Sequence, residues 1–278
     1  MIVLALAAAL HVDFQKKADA PGRERVEAFS EAMLGTPYKL GPLGEGPDGE
    51  FDSDPLADFT RVDCMTFVEE VLALSRAKDQ AGMMDQLRRI RYKDGVIEYA
   101  RRNHFTDLDW LPNNVAAGYL TDITRAVAGA DAAVATKRIS KRAWYAKKDA
   151  STLKGPRFAR MSPTEKDALV AELRALGAGM PDATASLAYV PIAALAEHVS
   201  EIPSGTIVSL VRADDGDKHE TLVSHMGFII QAKGKAYFRE ASSDKGQVVD
   251  LPLLEYLKIY ERSSWPLLGL NLASPNEP

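Results

Sequence analysis

A single cysteine, Cys64, and five histidines are the residues of this 278-residue chain best suited to nucleophilic catalysis. A lone thiol needs a base within hydrogen-bond reach and surroundings that favour the thiolate. The stretch "TRVDCMTFVEEVLAL", residues 60–74, sets Cys64 directly after Asp63 at the predicted first turn of a helix. Asp63 suits the N-cap, so the thiol would sit where unpaired backbone N–H groups and the positive end of the dipole favour negative charge. The same N–H groups can donate to an oxyanion. The spacing also supports a purely structural reading. Cys64, Phe67, Val68, Val71 and Leu72 form one stripe at i, i+3, i+4, i+7 and i+8, and a free cysteine often packs as a small hydrophobe.

Of the histidines, His11 lies in an apolar N-terminal segment, His198 on the polar side of "AALAEHVSE" and His219 in an acidic loop. His104, in "RRNHFTDLDWLPNN", is expected to line a site or to cap a helix. His225 stands apart because it falls inside a strand, "SHMGFII". Alternation puts His225, Gly227 and Ile229 on one face, and the glycine is expected to leave open space beside the imidazole. A core histidine satisfied by a neighbour is the alternative. The group that fixes its tautomer is expected to be Glu240, in the hairpin "QAKGKAYFREASS". Pairing Ile230 with Lys235 would set Glu240 opposite His225. A two-residue turn at Lys233 and Gly234 would set it one pair away on the same face, and a three-residue loop would point it away. No HxxxH or CxxC spacing and no Walker-type loop occurs, so the sequence implies no metal and no cofactor.

These groups need elements to hold them. A helix is predicted over "PGRERVEAFSEAML", with proline at its start and Gly35 as its stop. The loop that follows, residues 36–60, is rich in glycine, proline and acids, and a loop this long is usually functional. Further helical patterns run through "AGMMDQLRRIRY" and "VIEYARRNHF". Residues 121–190 are predicted to be a mainly helical insertion, with a capping signal at "SPTEKDALVAELRALG". After Pro203 the period becomes strand-like in "GTIVSLVR", "SHMGFIIQ", "AYFREAS" and "QVVDLP". Helices first and strands later argue for an α+β fold with an antiparallel sheet.

Composition narrows the partners. The chain is 46% hydrophobic and 26% charged with a net charge of -5, and its basic residues are scattered apart from a cluster at 137–148. A nucleic acid is therefore not an expected partner. The run Ile2–Leu10 is too short to span a bilayer and reads as a truncated export leader over residues 1–20, followed by a single domain over 21–278.

Taken in order, "AMLGTPYKLG", "DCMTFVEEV", "SHMGFII" and "FREASS" resemble the NlpC-type cell-wall cysteine peptidases, which are papain-like α+β proteins. "VDCMTFVEEVLAL", "IRYKDGVIEYARRNHFTDLDWLPNN" and "SHMGFII" are similar to one branch, the N-acetylmuramoyl-L-alanine amidase-like family. The resemblance implies Cys64 as nucleophile, His225 as base and Glu240 where the family commonly has a histidine. It implies Tyr38 and Asp63 in the substrate groove, and we expect His104 and Ser224 to contact substrate as well. Met65 replaces the serine that many of the endopeptidases use to hold a free amine. This favours cleavage of the muramoyl-L-alanine amide in peptidoglycan or a muropeptide, through a thioester. The alternatives are a γ-D-glutamyl-diamino-acid endopeptidase, a papain-like acyltransferase and a non-catalytic peptidoglycan-binding module. An exported, periplasmic or envelope-bound monomer is expected.

Overall fold

The residue spacing that predicts a helix after Pro21 forms α1 (Gly22–Ala32), which buries Val26 and Phe29. Gly35, at φ 82°, then turns the chain into the long loop. These features come from a computed structural model that describes residues 22–277, so the predicted leader lies outside the described residues. Helix α2 (Cys64–Arg76) buries the expected stripe of Phe67, Val68, Val71 and Leu72, but it also buries Glu69 and Glu70 on its other side. A helix enclosed all round must satisfy such carboxylates internally. Glu69 accepts from Arg91 Nε at 2.6 Å, at the end of α3 (Gln80–Arg91). Glu70 Oε1 accepts the Asp58 N–H at 3.0 Å, and burial raises its carboxyl to about 8, so it stays protonated near neutral pH.

The strands are β1 (Leu120–Asp122), β2 (Ala133–Ser140), β3 (Asp182–Pro191), β4 (Thr206–Arg212), β5 (Val223–Ala232), β6 (Lys235–Ser242), β7 (Gln247–Pro252) and β8 (Leu267–Pro275). They form an antiparallel sheet in the order β2-β3-β8-β4-β5-β6-β7, with β1 beside β8. The α+β reading with an antiparallel sheet therefore holds. One face packs Phe228 and Met226 against α2, with the rings of Phe67 and Phe228 edge to face at 5.4 Å. The other face packs Val208, Leu210, Ile229 and Phe238 beneath the short helix Leu253–Leu257.

Two predicted elements need correction. The insertion is not helical throughout: β2 and β3 pair along their length as a long arm of the sheet, enclosing the helices Lys141–Ala146 and Pro163–Gly177. In β2, Ala135, Lys137 and Ile139 are buried while their neighbours are more exposed, a period of two that its lysine and arginine residues obscure. "VIEYARRNHF" does not continue as a helix either. Asp94 and Gly95 take φ of 57° and 67°, and only the short turn Tyr99–Arg101 follows.

Candidate active site

Local hydrogen bonds fix the start of α2. Asp63 Oδ1 accepts the Thr66 N–H at 2.8 Å while Thr66 Oγ1 accepts the Asp63 N–H at 2.8 Å, a reciprocal capping box. Asp63 Oδ2 accepts the Gly41 N–H at 2.9 Å, which ties the preceding loop to the same point. Phe67 N–H makes the first helical bond, to Asp63 O at 2.9 Å. Among the described residues nothing engages the N–H groups of Cys64 and Met65, the unpaired donors that every helix start presents. Cys64 occupies the first helical position and is partly exposed.

His225 reaches this point through an irregularity in its strand. The β4–β5 register shifts between Ser209, paired with Met226, and Val211, paired with Val223. Val223 and Met226 both belong to the core on the α2 side, so Ser224 and His225 fill the bulge between them. Bulges of this kind re-aim side chains at the ends of sheets. The Cys64 thiol lies close enough to the imidazole for its charge to favour the protonated ring. Nε2 of the ring bonds to Glu240 Oε2, which leaves Nδ1 for the sulfur.

Glu240 reaches His225 through the second of the hairpin registers considered. Ala232 pairs with Lys235, and Lys233 and Gly234 form a two-residue turn at φ 52° and 73°. Carried along the hairpin, this register puts Glu240 one pair from the histidine on its own face. The expectation of open space beside Gly227 is overturned. A Cβ there would meet the Arg239 carbonyl at 2.5 Å and the Phe238 ring at 2.7 Å, and that ring packs edge-on to His225 at 5.7 Å. The glycine admits a close-packed wall that holds the imidazole.

The electrostatics of the group are strongly coupled. Burial alone would lower the His225 pKa, but the charge of Cys64, its hydrogen bond and the Glu240 carboxylate outweigh burial and raise it to about 10. Tyr38 faces the same group. Burial, then the charges of Cys64, Asp63 and Glu240, hold its phenol above the ordinary tyrosine value, so its O–H remains a donor. Tyr38 is positioned by a bridge to Val62 and by its N–H bond to Gly246 O at 2.8 Å.

A cleft of about 330 Å³ opens beside His225 and Glu240, lined by these two and Ser224 together with Arg212, Ser242, Asp244, Tyr256 and Tyr260. A hollow of about 360 Å³ between Arg89, Tyr92 and Tyr119 contains none of the predicted site residues. The structure thus brings together Cys64, His225, Glu240, Tyr38, Asp63 and Ser224. His104 is placed elsewhere. It packs against Tyr99 and Trp144 at 4.6 and 4.7 Å, and its Nε2 donates to Tyr99 O at 2.8 Å. Burial, then Arg102, lowers its pKa well below the ordinary value, so it stays neutral. The sequence reading did not single out Arg212, Tyr256 and Tyr260. Arg212 carried a usable signal, a charge ending the otherwise apolar run "GTIVSLVR".

The fold as a whole is shared with known structures. A Legionella pneumophila protein is 30% identical and matches with a TM-score of 0.89, over 95% of this chain and 93% of its own. A Bacteroides uniformis structure described as an N-acetylmuramoyl-L-alanine amidase is 25% identical, with a TM-score of 0.64 over 92% of this chain and 99% of its own. A Bacteroides fragilis structure described as a xylanase is 28% identical, with a TM-score of 0.59 over 88% of this chain and 97% of its own. Among curated proteins none matches the sequence. Residues 28–262 match the family described as AmiA-like, N-acetylmuramoyl-L-alanine amidase-like, and the chain belongs to that family.

Proposed function

We propose that the protein is a cysteine amidase of bacterial peptidoglycan, cleaving the bond between the lactyl group of N-acetylmuramic acid and L-alanine. The observation that carries this reading is the Cys64 thiol, at the first position of α2, set beside an imidazole that Glu240 holds at Nε2. Family membership supports an amidase, and the Bacteroides uniformis relative supports this bond.

In the proposed reaction the Cys64 thiolate forms a C–S bond to the scissile carbonyl carbon, and the oxygen takes the charge. The N–H groups of Cys64 and Met65 are placed to receive it, at the positive end of the helix. The C–N bond then breaks, and the His225 imidazolium gives its proton to the leaving amine. Water, deprotonated by His225, forms a C–O bond, and the C–S bond of the thioester breaks. Glu240 keeps the ring oriented and offsets its charge. Tyr38 and Ser224 contact the substrate, and Asp63 acts through the helix start that it caps.

The same reading places the chain in the NlpC-type papain-like superfamily, as one domain over residues 21–278 with the insertion at 121–190 shaping the cleft. It also implies export to the cell envelope. The test is to incubate the protein with a muropeptide and weigh the products. Release of an intact stem peptide and a free lactyl sugar is expected, and Cys64→Ala is expected to reduce it by about 10⁴-fold or more. Cleavage inside the stem peptide, or undiminished turnover by Cys64→Ala, would overturn the proposal.

A further inference from the structure

Arg212, the last residue of β4, is 3% exposed and lines the cleft beside His225 and Glu240. Its guanidinium carbon lies 4.7 Å from the centre of the Tyr260 ring and 4.8 Å from that of Trp265. Nη2 donates to Ser263 Oγ at 2.7 Å and to the Trp265 carbonyl. Nε and Nη1 are buried with no acceptor, and among the described residues Arg212 makes no ion pair. Asp215, the carboxylate that acts on it at longer range, is held by His219 at 2.7 Å.

A buried guanidinium stays charged, and leaving its N–H groups unpaired is costly. Hydrogen bonds between a charged donor and a carboxylate are among the strong ones. Asp244 lines the same cleft with the opposite sign, but it is exposed and its charge is screened, whereas that of Arg212 is not. Rings against the guanidinium favour approach to its edge. The direction of the reaction identifies which part of a substrate comes here. His225 delivers its proton to the leaving amine, so the leaving fragment lies on the imidazole side, along which Arg212, Tyr256 and Tyr260 continue.

Resting on the amidase reading above, we propose that Arg212 is a specificity-determining residue whose guanidinium receives a carboxylate of the leaving peptide. The protein then selects leaving peptides that carry a free acid near the scissile bond. Tyr256 and Tyr260, joined by a hydroxyl contact of 3.0 Å, form the wall beside that carboxylate.

The test compares two muropeptides that differ only in this group, one with the free acid and one with its primary amide. The wild-type protein is expected to favour the acid by about 10- to 100-fold in kcat/KM. Arg212→Met is expected to bring the ratio close to one, chiefly by loss on the acid, and Arg212→Lys to keep part of it. Melting of each variant checks its fold. Equal rates for the two substrates in the wild type, or discrimination preserved in Arg212→Met, would overturn the proposal.

A second measurement separates this failure from failure of the amidase reading. The two free leaving peptides are titrated into Cys64→Ala protein by calorimetry, which needs no turnover. Tighter binding of the acid, lost when Arg212→Met is added, supports the role of Arg212 even if neither substrate is cut. Equal binding of acid and amide overturns it.

Discussion

Helix α2 and the helix Pro163–Gly177 begin with the same reciprocal hydrogen bonds. In the first, Asp63 and Thr66 exchange them; in the second, Ser162 Oγ accepts the Glu165 N–H at 3.3 Å and Glu165 Oε2 accepts the Ser162 N–H at 2.7 Å. Each box satisfies two groups that a helix start leaves unpaired. Beyond the box the two starts differ in every respect relevant to chemistry. The second opens on Pro163, which has no N–H to offer, and its capping residues face solvent. The first opens on a thiol, its cap is buried and takes a further N–H from Gly41, and an imidazole from β5 stands against it. A capped helix end is therefore only a scaffold. Its role as a site depends on what the distant half of the chain brings to it.

Removing that distant contribution should produce the largest effect. Glu240→Gln keeps the size of the side chain and removes the charge that holds His225. We expect kcat to fall by about 10²- to 10⁴-fold, the range seen when a carboxylate that orients a catalytic histidine is neutralised. The pH profile adds a sharper sign. The carboxylate helps to hold the imidazolium proton up to about pH 10, so its loss moves the alkaline limb of the kcat/KM profile downward, toward the ordinary imidazole value. An unchanged limb would mean that Glu240 only packs. Loss of turnover without a shift would assign the defect to geometry rather than charge.

How far these features could be read from the residues follows a physical division. The cap, the thiol at the first helical position and the stripe of Phe67, Val68, Val71 and Leu72 obey local rules, so residues 60–74 sufficed. Glu240 was legible only as far as its hairpin turn, because the register depends on Lys233 and Gly234 adopting positive φ. Contacts that depend on packing between distant segments were not legible. The bulge at Ser224 and His225 leaves no mark on alternation, and nothing near Gly227 shows that Phe238 fills the space beside it. Strand β8 reads as an unpatterned apolar run because most of it is buried on both faces in the middle of the sheet. His104 is surrounded in sequence by aromatic and polar residues that suit a cleft and a core equally, and Trp144, forty residues on, decides for the core.

Asp63→Ala separates the scaffold from the chemistry on the α2 side. The buried cap loses the bonds from Thr66 and Gly41 together, which should cost about 2 kcal/mol. Turnover should fall as well, because the first turn that presents Cys64 and its unpaired N–H groups loosens. Thermal or urea unfolding measures the first effect and steady-state kinetics the second. A stability loss with full activity would show that the thiol and imidazole hold each other without the cap.

The smallest effect is expected at the matching position. Ser162→Ala removes the same bond type from a solvent-facing start, and Pro163 already fixes the backbone at the first helical residue. The cost should be about 0.5 to 1 kcal/mol, measurable as a lower urea midpoint with an unchanged m-value. Activity should not move, because the helix Pro163–Gly177 packs on the aromatic cluster of Phe51, Tyr145 and Phe158 and not on the residues around Cys64. A fall in kcat/KM in this variant would show that the part of the insertion shaping the cleft depends on this helix start. The two capping boxes would then differ in distance from the reaction rather than in whether they take part in it.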